Sequence, residues 1–501
     1  MLDSYLEKNI QNKLKLFNIL YSKVSATMND VLSFLPLSID SIHTLVNELN
    51  LDFAGLATIE KHAPYFIIHI YHDATFMELL YTIYQSSDVL HCLKFMILNE
   101  ENSSLTAFSQ IRSLSKSTAY RIREKCGKYL QRVGLLLNGN QVAGDEYRIR
   151  FLTALLHYKF GITCYPINKT DIYLTRAFIL STNHAIDSVH LEATSNEYGF
   201  FEYLFILLWK RKKFLTAPIV SKELENLKEL FIYEKLMTAL KNFEAKLGVH
   251  LSEFDYDYIY LVYCTTNSCL FNDQWTEQDV QHVHQIVFSN PAFYDLLQRI
   301  EKKLGKEISD SHVLKSSLIY FYKKCLLELQ CIIPNNNFYL DSTKNHLTQI
   351  VFESVFNNLE DWRKKQHRLY EIDKGHIFYL ALQIELIIKQ FLPPVPVFVL
   401  SELTPELEIT TLYLRRLFPA KRANIRPFYV GTDNKEFLCS QKRSVIVANK
   451  KFRYLIEEWN LSEYNTVIPI TVELNTQELI DIQKAIAYYE TGYFFDFIHQ
   501  I

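Results

Sequence analysis

The chain has 501 residues, enough for several domains with separate cores. Its net charge is −3, so any contact with a polyanion must come from a local patch and not from the molecule as a whole. It holds 12 glycines and no G-x-x-x-x-G-K or G-x-G-x-x-G run, which argues against a phosphate-cradling loop, while 34 Phe and 32 Tyr favour helices around large cores.

Over residues 1–75, periodicity predicts helices at Lys13–Ser22, Thr27–Phe34 and Ser38–Leu49, then an extended apolar run, Tyr65–Ile70. In the third helix Ile39, Ile42, Val46 and Leu49 form the core face. Ser38, Ser41, His43, Thr44 and Asn47 form an exposed face without Lys or Arg. Such a face can hydrogen-bond to bases but releases few counterions.

Residues 76–165 repeat the plan more clearly. A helix over Leu105–Ile111 and a Ser113-Leu114-Ser115 turn precede a helix over Lys116–Val133, with Ser115 as N-cap. The turn signal Asn138-Gly139 follows, and Gly144-Asp145-Glu146-Tyr147-Arg148-Ile149-Arg150 reads as the rest of a wing. In the longer helix Ala119, Ile122, Cys126, Leu130 and Val133 recur at spacings of three and four, building an apolar face. Arg121, Lys125, Lys128 and Arg132 build a separate basic stripe. Arg112 to Arg132 holds seven Lys or Arg against one acid, Glu124. A helix, a tight turn, a basic helix and a hairpin is the order of a winged helix-turn-helix. Lys116, Ser117, Thr118 and Arg121 are then the base-proximal candidates. Arg123, Lys125, Lys128 and Arg132 are the phosphate candidates.

From 168 to 392 the pattern is helical throughout, with an internal echo between Phe243–Glu253 and Ile300–Asp310. Pro393-Pro394-Val395-Pro396 reads as a linker. Beyond it Val397–Leu400, Ser444–Val447 and Thr466–Ile470 read as short buried strands and Thr476–Tyr489 as a helix, which suggests a small α/β domain with a parallel sheet. The aromatic tail Tyr493-Phe494-Phe495-Asp496-Phe497 suits internal packing or a dimer interface. The eight cysteines (92, 126, 164, 264, 269, 325, 331 and 439) form no C-x-x-C pair or zinc spacing, which suits buried thiols in a reducing, cytoplasmic setting. No signal peptide, membrane span, metal site, cofactor or catalytic triad is expected, so an enzyme is not expected.

The segment Ser115–Arg121, the wing through Gly144–Arg150 and the order of regions resemble the Mga/AtxA family, global virulence-gene regulators of Gram-positive bacteria. The resemblance implies a mainly α, multidomain chain. Two N-terminal winged helix-turn-helix domains (1–75 and 76–165) would lead into two all-helical phosphotransferase-system regulation domains, or PRDs (168–274 and 275–392). An α/β domain like the enzyme IIB component of sugar phosphotransferase systems (396–501) would end the chain. It implies double-stranded promoter DNA and phosphotransferase phosphocarrier proteins as partners, no membrane, and a homodimer or higher homo-oligomer through the C-terminal domain.

The family's PRDs are phosphorylated on histidine. By position the candidates are His184, His250 and His312, with His190, His346, His367 and His376 competing. One departure stands out. Enzyme IIB carries its phosphoryl group on a cysteine after the first strand, whereas Ser401-Glu402-Leu403-Thr404-Pro405 has none, which leaves an interaction surface. The alternative function is a signalling or scaffold protein that binds phosphotransferase components without touching DNA.

Overall fold

In a computed structural model the described residues are 2–499, apart from 24, 63, 72, 99–103, 183–194, 215–216, 248–249, 267–269, 272–273, 336–345, 369–370, 403 and 472–473. The chain is mainly helical. It forms two compact units, residues 1–297 with 315–382, and residues 298–314 with 383–501.

The first unit opens with α1 (Lys8–Lys23), β1 (Ser25–Thr27), α2 (Met28–Phe34), α3 (Ile39–Phe53), β2 (Ala57–His62) and β3 (Tyr65–Ile70). The strands form an antiparallel sheet in the order β1-β3-β2, so β2 and β3 make a wing beside α3. The three predicted helices are all present, and the apolar run is β3. Thr27 starts α2 with a capping box closed by Asp30, and Ser38 caps α3. Ile42, Val46 and Leu49 are fully buried as expected, joined by Leu45 and Phe53. Ile39 is not: it is the first helical residue after the cap, and it projects outward, 52% exposed.

Four helices come next: α4 (Phe76–Gln85), α5 (Asp88–Leu98), α6 (Leu105–Ile111) and α7 (Lys116–Arg132). A two-stranded hairpin follows, β4 (Leu136–Asn138) with β5 (Gln141–Ala143). Gly139, first of the two turn residues, has φ +61°, as a type II′ turn requires. The wing ends at Ala143. Glu146–Arg150 belongs to helix α8 (Glu146–Phe160) and not to the wing. Gly144 makes the break: its φ is +134°, and a Cβ there would sit 2.9 Å from the Leu135 side chain. The start of α8 reads as wing because Arg148 and Arg150 face inward, where sequence alone predicts solvent.

The helical stretch continues through α9 (Lys169–Thr182), α10 (Ser195–Lys210), α11 (Lys222–Leu227), α12 (Phe231–Leu247), α13 (Glu253–Thr265), α14 (Glu277–Ser289) and α15 (Pro291–Leu304). A one-turn α16 (Lys306–Ser309), α17 (His312–Cys325), α18 (His346–Lys365) and α19 (Lys374–Phe391) complete it. In the first half of the echo α12 ends at Leu247 and Ser252 caps the next helix, whereas in the second α15 ends at Leu304, Gly305 is the N-cap of the one-turn α16, and a serine bond comes only before α17. Ser252 accepts from the Asp255 amide, and Ser311 accepts from the Leu314 amide at 3.3 Å.

The second unit holds β6 (Val395–Ser401), α20 (Thr404–Leu417), β7 (Ala423–Tyr429), α21 (Lys435–Ser440), β8 (Val445–Asn449), α22 (Arg453–Glu458), β9 (Thr466–Ile470) and α23 (Thr476–His499). All strand pairs are parallel, in the order β7-β6-β8-β9. Alternation splits the core between the faces. Val395, Val397, Val399, Val445 and Val447 pack against α20 and α23, and Phe398, Leu400, Ile446 and Ala448 pack on the opposite side. Three predicted strands are present. Val395 and Pro396, expected in a linker, open β6; a proline at a strand's start forfeits little pairing. The helix expected to end at Tyr489 runs on to His499, and Phe494 in the aromatic tail is buried.

Candidate nucleic-acid interface

Helix α7 is built as its sequence requires. Ser115 accepts a hydrogen bond from the Thr118 amide at 3.1 Å, satisfying an amide that the helix start leaves open. The turn before it closes through Ser113, φ +53°, and a bond from the Leu114 amide to the Ser109 carbonyl at 2.8 Å. Ala119, Ile122, Cys126, Leu130 and Val133 are buried, with Tyr129 beside them. Truncating Leu130 to Ala would cost about 2–5 kcal/mol.

At about 100° per residue the outward face collects Lys116, Ser117, Tyr120, Arg121, Glu124 and Lys128, all exposed. The basic stripe lies along one shoulder of that face, and it divides. Arg121 is exposed, its guanidinium near the Thr118 hydroxyl at 3.3 Å. Lys128 is exposed and pairs with Glu124 one turn back at 2.7 Å. Lys125 instead donates to the Leu6 carbonyl at 3.1 Å, and Arg132 is ion-paired with Glu371. Arg123 lies on the opposite shoulder, where it donates to Asn140 at 2.9 Å and to the Gly139 carbonyl, tying α7 to the wing turn. Thr118 is half-buried. The exposed part of the site is therefore Lys116, Ser117, Arg121 and Lys128, with Tyr120 between them.

In the first winged helix the proposed reading face is smaller than its sequence suggests. Ser38 is used as the cap, and its hydroxyl lies 2.8 Å from that of Ser41. His43 does not stand in solvent. It is half-buried against Phe66, ring centroids 5.9 Å apart, and its Nδ1 is buried without a hydrogen-bond partner. Asn47 is exposed, and its side-chain oxygen accepts from Lys61 of β2 at 2.9 Å. The wing thus supplies a cation that the helix lacks. Only the antiparallel register of β2 brings Lys61 over α3, so helical periodicity does not show it.

Behind the wing, α8 carries a buried charge cluster. Glu146 accepts from Arg211, which follows α10, at both oxygens, 2.6 and 2.8 Å, and from Arg150 at 3.1 Å. Arg150, 1% exposed, also reaches Asp255 of α13 at 3.5 Å and lies over the ring of Tyr258 at 4.6 Å. Arg148 donates to the carbonyls of Leu327 (2.6 Å) and Glu328 (3.3 Å), two consecutive residues held at positive φ. The helix that leaves the second wing is thereby fastened to three separate parts of the helical region.

Of the histidine candidates, His184 lies outside the described residues, as does His190. His250 is exposed; its Nδ1 lies 3.0 Å from Glu244 and its carbonyl accepts from Lys212 at 2.7 Å. His312 is exposed at the start of α17. His376 is buried, with Nε2 3.1 Å from the Ile333 carbonyl, and burial holds it below the usual histidine range. Among the described residues no helix is long and apolar enough to cross a membrane, and no His, Cys, Asp and Glu cluster could hold a metal.

The family described as the Mga helix-turn-helix domain matches residues 72–157, which span α4 to α7, the wing and most of α8. The family described as the M protein trans-acting positive regulator (MGA) PRD domain matches residues 175–378. No curated protein matches the chain. With more than half of its length in these two matches, the chain belongs to the Mga/AtxA-like family of PRD-containing regulators.

Proposed function

We propose that the chain is a promoter-binding transcription activator of virulence or metabolic genes, with the second winged helix-turn-helix as its main DNA anchor. The observation that carries this is the outward face of α7: Lys116, Ser117, Arg121 and Lys128 stand exposed on a capped helix beside a wing. Cations at this spacing meet phosphates while the N-terminal turn approaches base edges. Lys125 and Arg132 serve protein contacts, which narrows the DNA-facing set. The first winged helix adds Ser41, Asn47 and Lys61 as a weaker reader of DNA shape.

The five-part division at 1–75, 76–165, 168–274, 275–392 and 396–501 belongs to the same proposal. Within it, PRD histidines receive phosphoryl groups from phosphocarrier proteins. His250 suits this chemistry. Glu244 beside Nδ1 leaves Nε2 directed outward as the nucleophile, and Lys212 is close by to meet the added negative charge. The parallel sheet with its first strand central fits an enzyme IIB-like domain. Lacking a cysteine after β6, it serves as a contact surface.

That surface is α20. Ile409, Leu412, Tyr413 and Leu417 are exposed along one stripe, with Glu408 at one end and Arg416 at the other. Two copies of the stripe packed antiparallel place each Glu408 near the partner's Arg416, so the occupant is a second copy of this chain.

Chromosome footprinting of wild type, His250→Ala and His250→Asp tests the reading. Discrete promoter footprints whose occupancy changes between the variants are expected. No footprint in any form would favour the scaffold reading instead.

A further inference from the structure

One residue on the outward face of α7 has the wrong sign for a phosphate contact. Between Arg112 and Arg132 Glu124 is the single acid among seven Lys and Arg. At about 100° per residue it stands opposite Cys126, which is fully buried, so it shares the middle of the exposed face with Ser117 and Lys128. Its side chain is 68% exposed. Oε1 pairs with Lys128 at 2.7 Å, and Oε2 accepts no hydrogen bond among the described residues. A carboxylate in this place lowers affinity for DNA of every sequence, so it calls for a compensating contact.

Lys128 does not supply it. An exposed pair one helical turn apart is weak, and with α7 in the groove Lys128 turns to a phosphate. Glu124 then faces the base edges with two acceptor oxygens and no donor of its own. In the major groove the donors are the amino groups of cytosine (N4) and adenine (N6). Guanine and thymine present acceptors there, which a carboxylate repels. Adenine sets its N7 acceptor beside the amino group, whereas cytosine presents N4 with no acceptor on the same base. Cytosine is therefore the base that a carboxylate fits best. We propose that Glu124 is a specificity-determining residue that accepts a hydrogen bond from cytosine N4 in the major groove. This rests on α7 as the helix that reads DNA, and it adds which base the middle of that helix selects.

The experiment is selection of binding sites from a pool of randomised duplexes by the full chain, as wild type, Glu124→Ala and Glu124→Gln. Titration of the selected duplex and its single-base variants follows. Wild type is expected to prefer cytosine at one position by roughly tenfold over the other bases. Glu124→Ala should lose that preference while the other positions keep theirs. Glu124→Gln should move it to adenine, whose N6 and N7 match a carboxamide. Both variants should bind unselected DNA more tightly than wild type, since a negative charge is gone, and both should melt as wild type does, since the position is exposed. Three results would overturn the proposal. Affinity that rises equally on every duplex, with base preferences unchanged, would mean that Glu124 only offsets Lys128. A preference lost at any base other than cytosine would assign Glu124 another contact. A wild-type chain that selects no sequence would overturn the reading of DNA by α7 together with this inference.

Discussion

Glu146 holds the guanidinium of Arg211 through two hydrogen bonds, 2.6 Å from Nε and 2.8 Å from Nη2, deep inside the protein. The pair joins the helix after the second wing to the end of α10, and Arg150 and Asp255 extend it to α13. Two guanidinium groups share one carboxylate here, so its loss would leave both short of negative charge.

Glu146→Gln is therefore expected to destabilise the chain by roughly 3–5 kcal/mol, the usual result of removing one partner of a buried pair. Urea denaturation measures it. In a double-mutant cycle with Arg211→Met the combined effect should fall well short of the sum of the two single effects. Additive effects would mean that the pair does not act as a unit.

The cluster also shows where the sequence could be read and where it could not. Helix α7 was legible because its cap, its apolar period and its flanking turns all agree locally. Strand β7 was not: Arg426 and Pro427 interrupt its apolar pattern, and only pairing to β6 makes it a strand. Arg148 and Arg150 read as a polar wing because their burial depends on helices far along the chain. The stripe on α7 was visible as a stripe. That Lys125 and Arg132 turn to Leu6 and Glu371 is tertiary information. His43 was placed in solvent because helical geometry cannot show Phe66 across from it.

Acid should destabilise the protein in a defined window. Burial pushes His157 down from 6.5 to about 4. Above pH 6.5 the imidazole is neutral in both folded and unfolded chains. Between 6.5 and about 4 only the unfolded chain takes up the proton, so stability falls as pH falls, by roughly 3 kcal/mol from this group. Buried His376 acts in the same direction. His157→Gln is expected to flatten this part of the stability–pH curve, measured by urea denaturation at about pH 7, 6, 5 and 4. A curve unchanged in shape would show that His157 is not the titrating group.

Self-association should depend on α20. Leu412→Glu places a charge in the centre of the exposed stripe and is expected to shift sedimentation toward monomer. Glu408→Arg should weaken association, and the combined Glu408→Arg/Arg416→Glu chain should recover part of it. Recovery is the informative result, because a charge swap restores pairing only if the two ends meet across copies. Unchanged sedimentation in all three would place the interface elsewhere.

The salt dependence of promoter binding tests the central claim most directly. Removing one cation that neutralises a phosphate should lower the slope of log affinity against log salt by about 0.9. Arg121→Ala and Lys128→Ala are each expected to weaken binding and reduce the slope by about that amount. Lys125→Ala, whose amine is held by Leu6, should leave the slope nearly unchanged. Equal slopes for wild type, Arg121→Ala and Lys128→Ala would contradict the account, because the outward face of α7 would then not be the surface that meets DNA.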